Sequence, residues 1–520
     1  MALIEAHRGI ITVLGIFLPL GFGFISLELW GERPHFPFGR VAMVGILSAW
    51  VVSWITFLEI LGQGAWHWVA TGWPIPWGFT ANRLTGLMVL YVTSVSGLIH
   101  LYALRYMRGE PGAPRFIGRL SLATLSVVFV VLANNLVMLW LFWVLTGITI
   151  LWLMAYSCAS PWTCPTTRRA LLTFVVGDLG LAITVILARF VFGTVYDAAL
   201  FQRLPSHPVA ALVLALSLFL AIMARSAQFP LYFWLTNTVD APTPLSAFMH
   251  AGVVNIGGFL LARFSPLWTA VPAALPVIFV VGLVTAFFGN GVMLTQSDVK
   301  RSLVYSTVGQ MGFMVMEAGL GAFSTAVFHI MSHGLFKATL FLRSGNVGEP
   351  GLPATAPSSR DRRVFLGGLG LTALIFLLSR PLWPRVEPAI LVVFVTATLA
   401  QAALVTLKPA ISPLAKLAVG LGFVGILVAY LKEIEWFTHF LAGTITVLPH
   451  IPGEPIDWIF FGLVAGFSLL TAVLAHESHR KDWRYFYRLT IYSWLLHEGY
   501  LGDWIESLIW PRVKPPGPLS

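Results

Sequence analysis

The stretch VAALVLALSLFLAIMARSAQFPLYFWL (209–235) runs apolar for longer than a soluble core helix needs, then places Arg225 and Pro230 inside the run. About 20 apolar residues suffice for a helix to cross the hydrocarbon of a bilayer. A helix that is apolar all round has no side to offer to water. Proline removes a backbone donor and interrupts the helix it sits in. The stretch therefore reads as a membrane helix, interrupted near its end, with a charge at depth.

Working outward, runs of this kind recur about fifteen times along the chain. They begin near 10–30, pass through 209–240, 245–265, 299–318 and 322–343, and continue at 364–380, 388–407, 413–431 and 457–475. Only helices suit them, because backbone groups in lipid must be satisfied within the segment. The expected fold is all-α and polytopic, with about 14–16 transmembrane helices. Composition agrees: of 520 residues, 57% are hydrophobic and 10% charged, where ordinary globular chains carry about 25% charge. The mean hydropathy is +0.82. The N-terminus leads straight into apolar sequence without a small-residue cleavage site, so it reads as a first span and not a removable signal. Cys158 and Cys164 match no zinc or redox spacing and read as incidental thiols.

Basic residues set the orientation. With the N-terminus outside, the inner loops collect Arg33 and Arg40, Arg105 to Arg119, Arg168 and Arg169, Lys300 and Arg301, Arg360 to Arg363, and Arg480 to Arg488. Few fall outside, among them Arg203, Arg385 and Lys432. The net charge of +10 is thus a topology signal spread over loops. It forms no arginine-rich tract with interleaved aromatics, which argues against nucleic acid as a partner. Residues 482–510 differ in kind: Trp483, Tyr485, Phe486, Tyr487, Trp494, Trp504 and Trp510 lie among charges. That pattern suits a helix at the lipid headgroups or a docking surface for a partner.

Charges at bilayer depth cost at least about 2.5–3.5 kcal/mol each, so those retained mark a pathway or a buried pair. Asp178 lies in VVGDLGLA, and Arg225 in the stretch already quoted. His250 opens the span after the turn DAPTPLSAFM. The run VFHIMSHGLFKATLF (327–341) carries His329, His333 and Lys337. Steps of four drift only about 40° around a helix, so the three share one face along about 12 Å. Imidazole takes up and releases protons near neutral pH, and an amine sheltered from water can do the same. A proton path is the sharper reading, with interhelical hydrogen bonding as the plainer one. A zinc site is weaker, since no HExxH glutamate accompanies the pair of histidines. Breaks at Pro230, Pro242 and Pro244, and again in SRPLWPRVEP with Arg380, Pro381 and Pro384, suggest inverted repeats around interrupted helices.

Two stretches carry a family resemblance. ARSAQFPLYFWLTNTVDAPTPLSAFMHAGVVNIGGFLLAR (224–263) and TQSDVKRSLVYSTVGQMGFMVMEAGLGAFSTAVFHIMSHGLFKATLFLRSG (295–345), together with VVGDLG, resemble the antiporter-like subunits of respiratory complex I and Mrp sodium/proton antiporters. The likeness covers residues 80–345 well and the remainder in hydropathy only. It implies inverted five-helix repeats, with N-terminal helices over 1–116, repeats over 117–265 and 266–410, C-terminal helices over 411–481 and an interfacial tail over 482–520. It also implies that Asp178, Arg225, His250, His329, His333 and Lys337 line an ion pathway, with Asp298, Lys300, Arg380 and Lys408 as secondary candidates.

The chain departs from the family in one respect that changes the chemistry. Val144 of FWVLTG stands where complex I subunits carry a glutamate, and Arg225 stands where they carry a lysine. Arginine stays charged and cannot carry a proton by losing its own, so Asp178 is left as its expected counter-ion. The missing glutamate, the divergent second half and the short tail are similar to the DabB-type branch of bacterial inorganic-carbon accumulation systems. That likeness implies an inner-membrane subunit, N-terminus outside and C-terminus cytoplasmic, with no catalysis or cofactor of its own. Its partner would be a large, soluble, zinc-bearing, β-carbonic-anhydrase-like (DabA-type) subunit on the cytoplasmic side. Protons or sodium would drive one-way hydration of carbon dioxide there. Rival readings are a proton-pumping subunit of a complex I-like NADH/quinone oxidoreductase and a subunit of a sodium/proton antiporter.

Overall fold

In the computed structural model, residues 2–33, 35–70, 77–156, 165–344 and 413–446 are described, with 493, 494 and 496 in addition. The helices are α1 (Ala2–Trp30), α2 (Phe38–Gln63), α3 (Arg83–Tyr106), α4 (Ala113–Leu132), α5 (Leu136–Met154) and α6 (Pro165–Phe190). A short α7 (Asp197–Arg203) precedes α8 (Pro208–Arg225) and α9 (Phe233–Thr236). Then come α10 (Thr243–Phe248), α11 (Ile256–Arg263), α12 (Ser265–Ala270), α13 (Leu275–Met293), α14 (Val299–Gly319), α15 (Phe323–Ser344) and α16 (Pro413–Leu441). Among the described residues, nine helical segments are long and apolar enough to cross a membrane. The spans expected at 364–380, 388–407 and 457–475 lie outside the described residues.

Two differences from the sequence reading have local causes. The first is a two-stranded antiparallel hairpin, β1 (Trp66–Ala70) and β2 (Trp77–Ala81), with Trp66 opposite Ala81. It is held on by aromatic packing, Trp68 stacking on Phe79 and Phe79 resting on Phe129 of α4 at 5.2 Å. The Asn134 backbone N–H donates to Gly78 O at 3.1 Å, which ties the hairpin to the α4–α5 turn. The second concerns 209–240, expected as one broken span. The helix stops at Arg225, and Ala227 takes a left-handed φ of 49° before the short α9. That conformation costs a β-carbon-bearing residue about 1–2 kcal/mol and turns the chain away from the helix axis ahead of Pro230.

The Thr243–Arg263 span is fully enclosed by the protein, while α1, α2 and α6 bury less than half of theirs. Ile11, Phe22, Val44 and Leu58 accordingly remain exposed on the outer helices. Such a belt of large apolar side chains is stable against lipid and costly against water. Polar anchors fix the hairpin end of the bundle. Asn82 and Thr85 form a reciprocal capping box at the start of α3, Arg83 donates to Phe440 O of α16 at 3.1 Å, and Arg263 pairs with Asp197 at 2.6 Å. Arg263 also donates to the carbonyls of Val131 and Ala133 that α4 leaves open at its end. Burial pushes the Asp197 carboxyl above the usual carboxylate range, and Arg263 pulls it back.

Candidate ion pathway

Asp178 and Arg225 are brought together by the close packing of α6 on α8. A β-carbon on Gly177 would lie 2.8 Å from Ala224 Cβ, and one on Gly180 would lie 2.8 Å from Ser217 O. The two glycines of VVGDLG therefore let the helices approach closely enough for Asp178 to reach Arg225, whose guanidinium donates to Asp178 Oδ1 at 3.2 Å and to Trp143 O at 3.1 Å. The guanidinium also lies 4.2 Å from the Phe174 ring centroid and 4.9 Å from that of Trp143. Arg225 is 1% exposed and the Asp178 side chain 21%. The cation is thus held by a carboxylate, a carbonyl and two ring faces, the fixed geometry that suits a guanidinium better than an ammonium.

Four further groups form a second cluster around α15. His329 and His333 have ring centroids 6.0 Å apart. Lys337 is buried and donates to Leu303 O of α14 at 3.0 Å, a carbonyl that also accepts from Thr307 Oγ1 at 3.1 Å. His250 lies within charge–charge range of both Lys337 and His333. Its ring stacks on Phe341 at 4.3 Å, and neither ring nitrogen has a hydrogen-bond partner among the described residues.

His250 does not open its span, as the sequence suggested. It sits mid-span, in a π-helical turn at Met249–Val253 between α10 and α11. The segment DAPTPLSAFM reads as a turn because of its prolines, but Pro244 falls at the first turn of α10, where a missing N–H costs nothing. The wide turn widens the hydrogen-bonding of its carbonyls: Ala251 O accepts from Tyr91 Oη and from Asn255 Nδ2, both at 2.7 Å. Tyr91 reaches that carbonyl across the bare backbone of Gly334, where any β-carbon would collide with its hydroxyl. Gly334→Ala is therefore expected to displace Tyr91, shift the π turn and lower ion conduction at least about tenfold, a loss of about 1.4 kcal/mol of positioning. Flux assays at matched membrane levels of protein check this; wild-type flux would show that the Tyr91 contact is dispensable.

The structure thus gathers the six sequence candidates into a pair, Asp178 with Arg225, and a line of His250, His329, His333 and Lys337. Just past the end of α8, Ser226 Oγ donates to Val254 O, two residues ahead of α11, at 2.6 Å.

Against known families, residues 133–360 match the transmembrane domain of NADH:quinone oxidoreductase and Mrp antiporters, and residues 68–117 match the N-terminus of complex I chain 5. The chain is an antiporter-like membrane subunit. A probable inorganic carbon transporter subunit, DabB1, of Halothiobacillus neapolitanus is 42% identical over 316 residues, which cover 58% of this chain and 56% of that protein. NAD(P)H-quinone oxidoreductase chain 5 of a Synechocystis species is 37% identical over 404 residues, 73% of this chain and 59% of that one. The chain therefore spans little more than half the length of these relatives. In fold it is similar to a chain of the Mrp complex from a Dietzia species, at a TM-score of 0.59 and 21% identity over 96% of this chain and 57% of that one. It is similar also to a chain of respiratory complex I from Thermus thermophilus, at 0.57 and 20% over 94% and 99%.

Other ionisable groups of this antiporter-like subunit separate clearly from the line. Asp298 caps α14, accepting from Arg301 N at 2.7 Å, and Lys300 lies in the first turn of that helix. His100, which the sequence reading passed over, is a satisfied core histidine: its nitrogens meet Ser96 O at 2.8 Å and Ser121 Oγ at 3.0 Å. Arg380 and Lys408 lie outside the described residues, as do the two cysteines and most of the aromatic tail. Among the described residues, no three His, Cys, Asp or Glu side chains converge as a metal site would require.

Sequence reasoning also missed Glu317. It is 1% exposed and meets His329 Nδ1 at 3.1 Å, while His329 Nε2 meets Gln310 Oε1 at 2.9 Å. The signal was present, since Glu317 is the sole carboxylate of α14 and an acid at that depth requires a partner.

Proposed function

We propose that this subunit conducts protons, or another small cation, along the α15 line and couples that flow to inorganic-carbon uptake through a soluble partner. The observation that carries the conduction is the continuity of the line. Imidazole, imidazole and amine follow at successive turns of one helix, with a third imidazole beside them and Tyr91 and Asn255 fixing the turn that holds it. Two of these groups present nitrogens without a hydrogen-bond partner among the described residues, His250 at both and His333 at Nε2. Such groups can take and pass a proton, whereas a histidine bonded at both nitrogens, like His100, is committed to packing.

The carbon-uptake half of the proposal is supported by the 42% identity to an inorganic carbon transporter subunit, and by Arg225 and Val144 in place of the lysine and glutamate expected of a complex I subunit. In this reading the Asp178–Arg225 pair is a fixed electrostatic fixture and not a proton carrier. The N-terminus lies outside and the inner loops face a cytoplasmic, zinc-bearing, carbonic-anhydrase-like subunit, which supplies the chemistry.

The partner decides between readings. Solubilised membranes are expected to yield this chain together with one large zinc-containing soluble subunit. Co-expression of the two is expected to restore growth in air to a host lacking carbonic anhydrase. Recovery with iron–sulfur and quinone-binding subunits instead would replace carbon uptake with redox-driven pumping.

A further inference from the structure

The geometry points to Glu317 as the acid terminus of the α15 line, sharing a proton with His329 under the control of the Gln310 amide. This rests on the conduction proposed above and adds to it the group that receives protons at the hairpin end of the bundle. Glu317 lies two residues from the C-terminal end of α14, and α15 begins at Phe323. The carboxylate therefore sits beyond His329 on the side away from Lys337, at the opposite end of the line from the Leu303 carbonyl.

The hydrogen bonds define two states of the ring. With a Glu317 oxygen at Nδ1 and the Gln310 oxygen at Nε2, the contacts fit either an imidazolium beside a carboxylate or a neutral ring, protonated at Nε2, beside a carboxylic acid. When the proton on Nδ1 moves to Glu317 Oε2, the pair becomes a neutral carboxylic acid and a neutral imidazole, and no charge remains on it. Gln310 accommodates a neutral ring whose proton has been passed on from Nε2 by turning its amide, so that NH2 donates where Oε1 accepted. No other side chain at the ring needs to move. Phe313 packs edge-on against it at 5.4 Å and His333 lies at 6.0 Å, next in line for the Nε2 proton.

A carboxylate here also answers a question left by the sequence. The chain has no acid on α5, where Val144 stands, and Asp178 is engaged by a cation that keeps its charge. Among the described residues, Glu317 is the buried carboxylate whose ion-pair partner can gain or lose a proton.

The test measures proton flux in inverted membrane vesicles bearing the intact complex, with the amount of inserted protein determined in parallel. Glu317→Gln is expected to lower flux about tenfold or more, as loss of a charge-assisted bond in the path requires. Glu317→Asp, which keeps the acid, should recover part of the flux. His329→Gln should fall to the same level, and the double variant no further, because the two residues act as one unit. Wild-type flux in Glu317→Gln, with flux lost in Lys337→Ala, would overturn the role of Glu317 and leave the line standing. Wild-type flux in Lys337→Ala would overturn the line itself. Should Glu317→Gln fail to accumulate, Gln310→Leu keeps the carboxylate and removes the turning amide. Its flux is expected to fall likewise, and unchanged flux there would refute the proton-sharing arrangement.

Discussion

Replacement of Lys337 by alanine is expected to abolish ion conduction, by at least about a hundredfold, on the scale of losing a positioned proton donor. Lys337 is buried, and it is the last of three titratable groups on one face of α15. Its ammonium is held by a single backbone carbonyl, Leu303 O, and no carboxylate neutralises it within ion-pair distance among the described residues. Alanine removes the titratable group that follows His333 one turn along α15.

The same substitution should not unfold the protein. An unpaired amine at membrane depth costs about 2.5–3.5 kcal/mol, so removing it relieves a penalty and offsets the lost packing. Lys337→Arg sharpens the test, since it preserves charge and bulk but cannot release its proton. Vesicle flux at matched protein levels is the measurement. Conduction above half of wild type in either variant would remove Lys337 from the pathway.

The second large effect falls on stability. Arg225→Ala leaves Asp178 without its cation in a largely enclosed site and strips the Phe174 and Trp143 faces of their guanidinium. Breaking a buried pair from one side costs about 3–5 kcal/mol. The variant should therefore show a clear drop in thermal midpoint in detergent. Asp178→Asn should cost less, because Trp143 O and the two rings still hold the cation. The double variant Arg225→Ala/Asp178→Asn should recover part of the loss, since neither charge is then stranded. A double variant as unstable as the sum of the singles would mean that the pair is not energetically coupled.

Much of this architecture was legible because lipid leaves the backbone few options. Apolar run length alone places two helices to within a residue, the runs at 299–318 and 322–343 becoming α14 (Val299–Gly319) and α15 (Phe323–Ser344). Arg225 and Asp178 announce themselves as charges at depth, and VVGDLG supplies the small residues that let them meet. The hairpin was not legible as structure. Its aromatic alternation, Trp66 with Trp68 and Trp77 with Phe79, lies between two long spans and reads equally well as an interfacial loop. The place of His250 was hidden because proline marks both turns and helix starts, and the sequence does not say which. Glu317 was hidden because its partner lies twelve positions later on the next helix. Only packing brings those two faces together.

The π turn at Met249–Val253 also changes how one span serves its surroundings. An extra residue in a single turn advances everything after it by about 100° relative to an unbroken α-helix. The half before the turn meets α3 and α15, while the half after it meets α8 and α14 as well as α15. A straight helix of this length would keep one stripe aimed at one set of neighbours from end to end. Here a single added residue works as a phase change, and the same rod faces two different crowds at its two ends. His250 stands at the joint, so any rotation of one half against the other would move the ring that lies beside both His333 and Lys337.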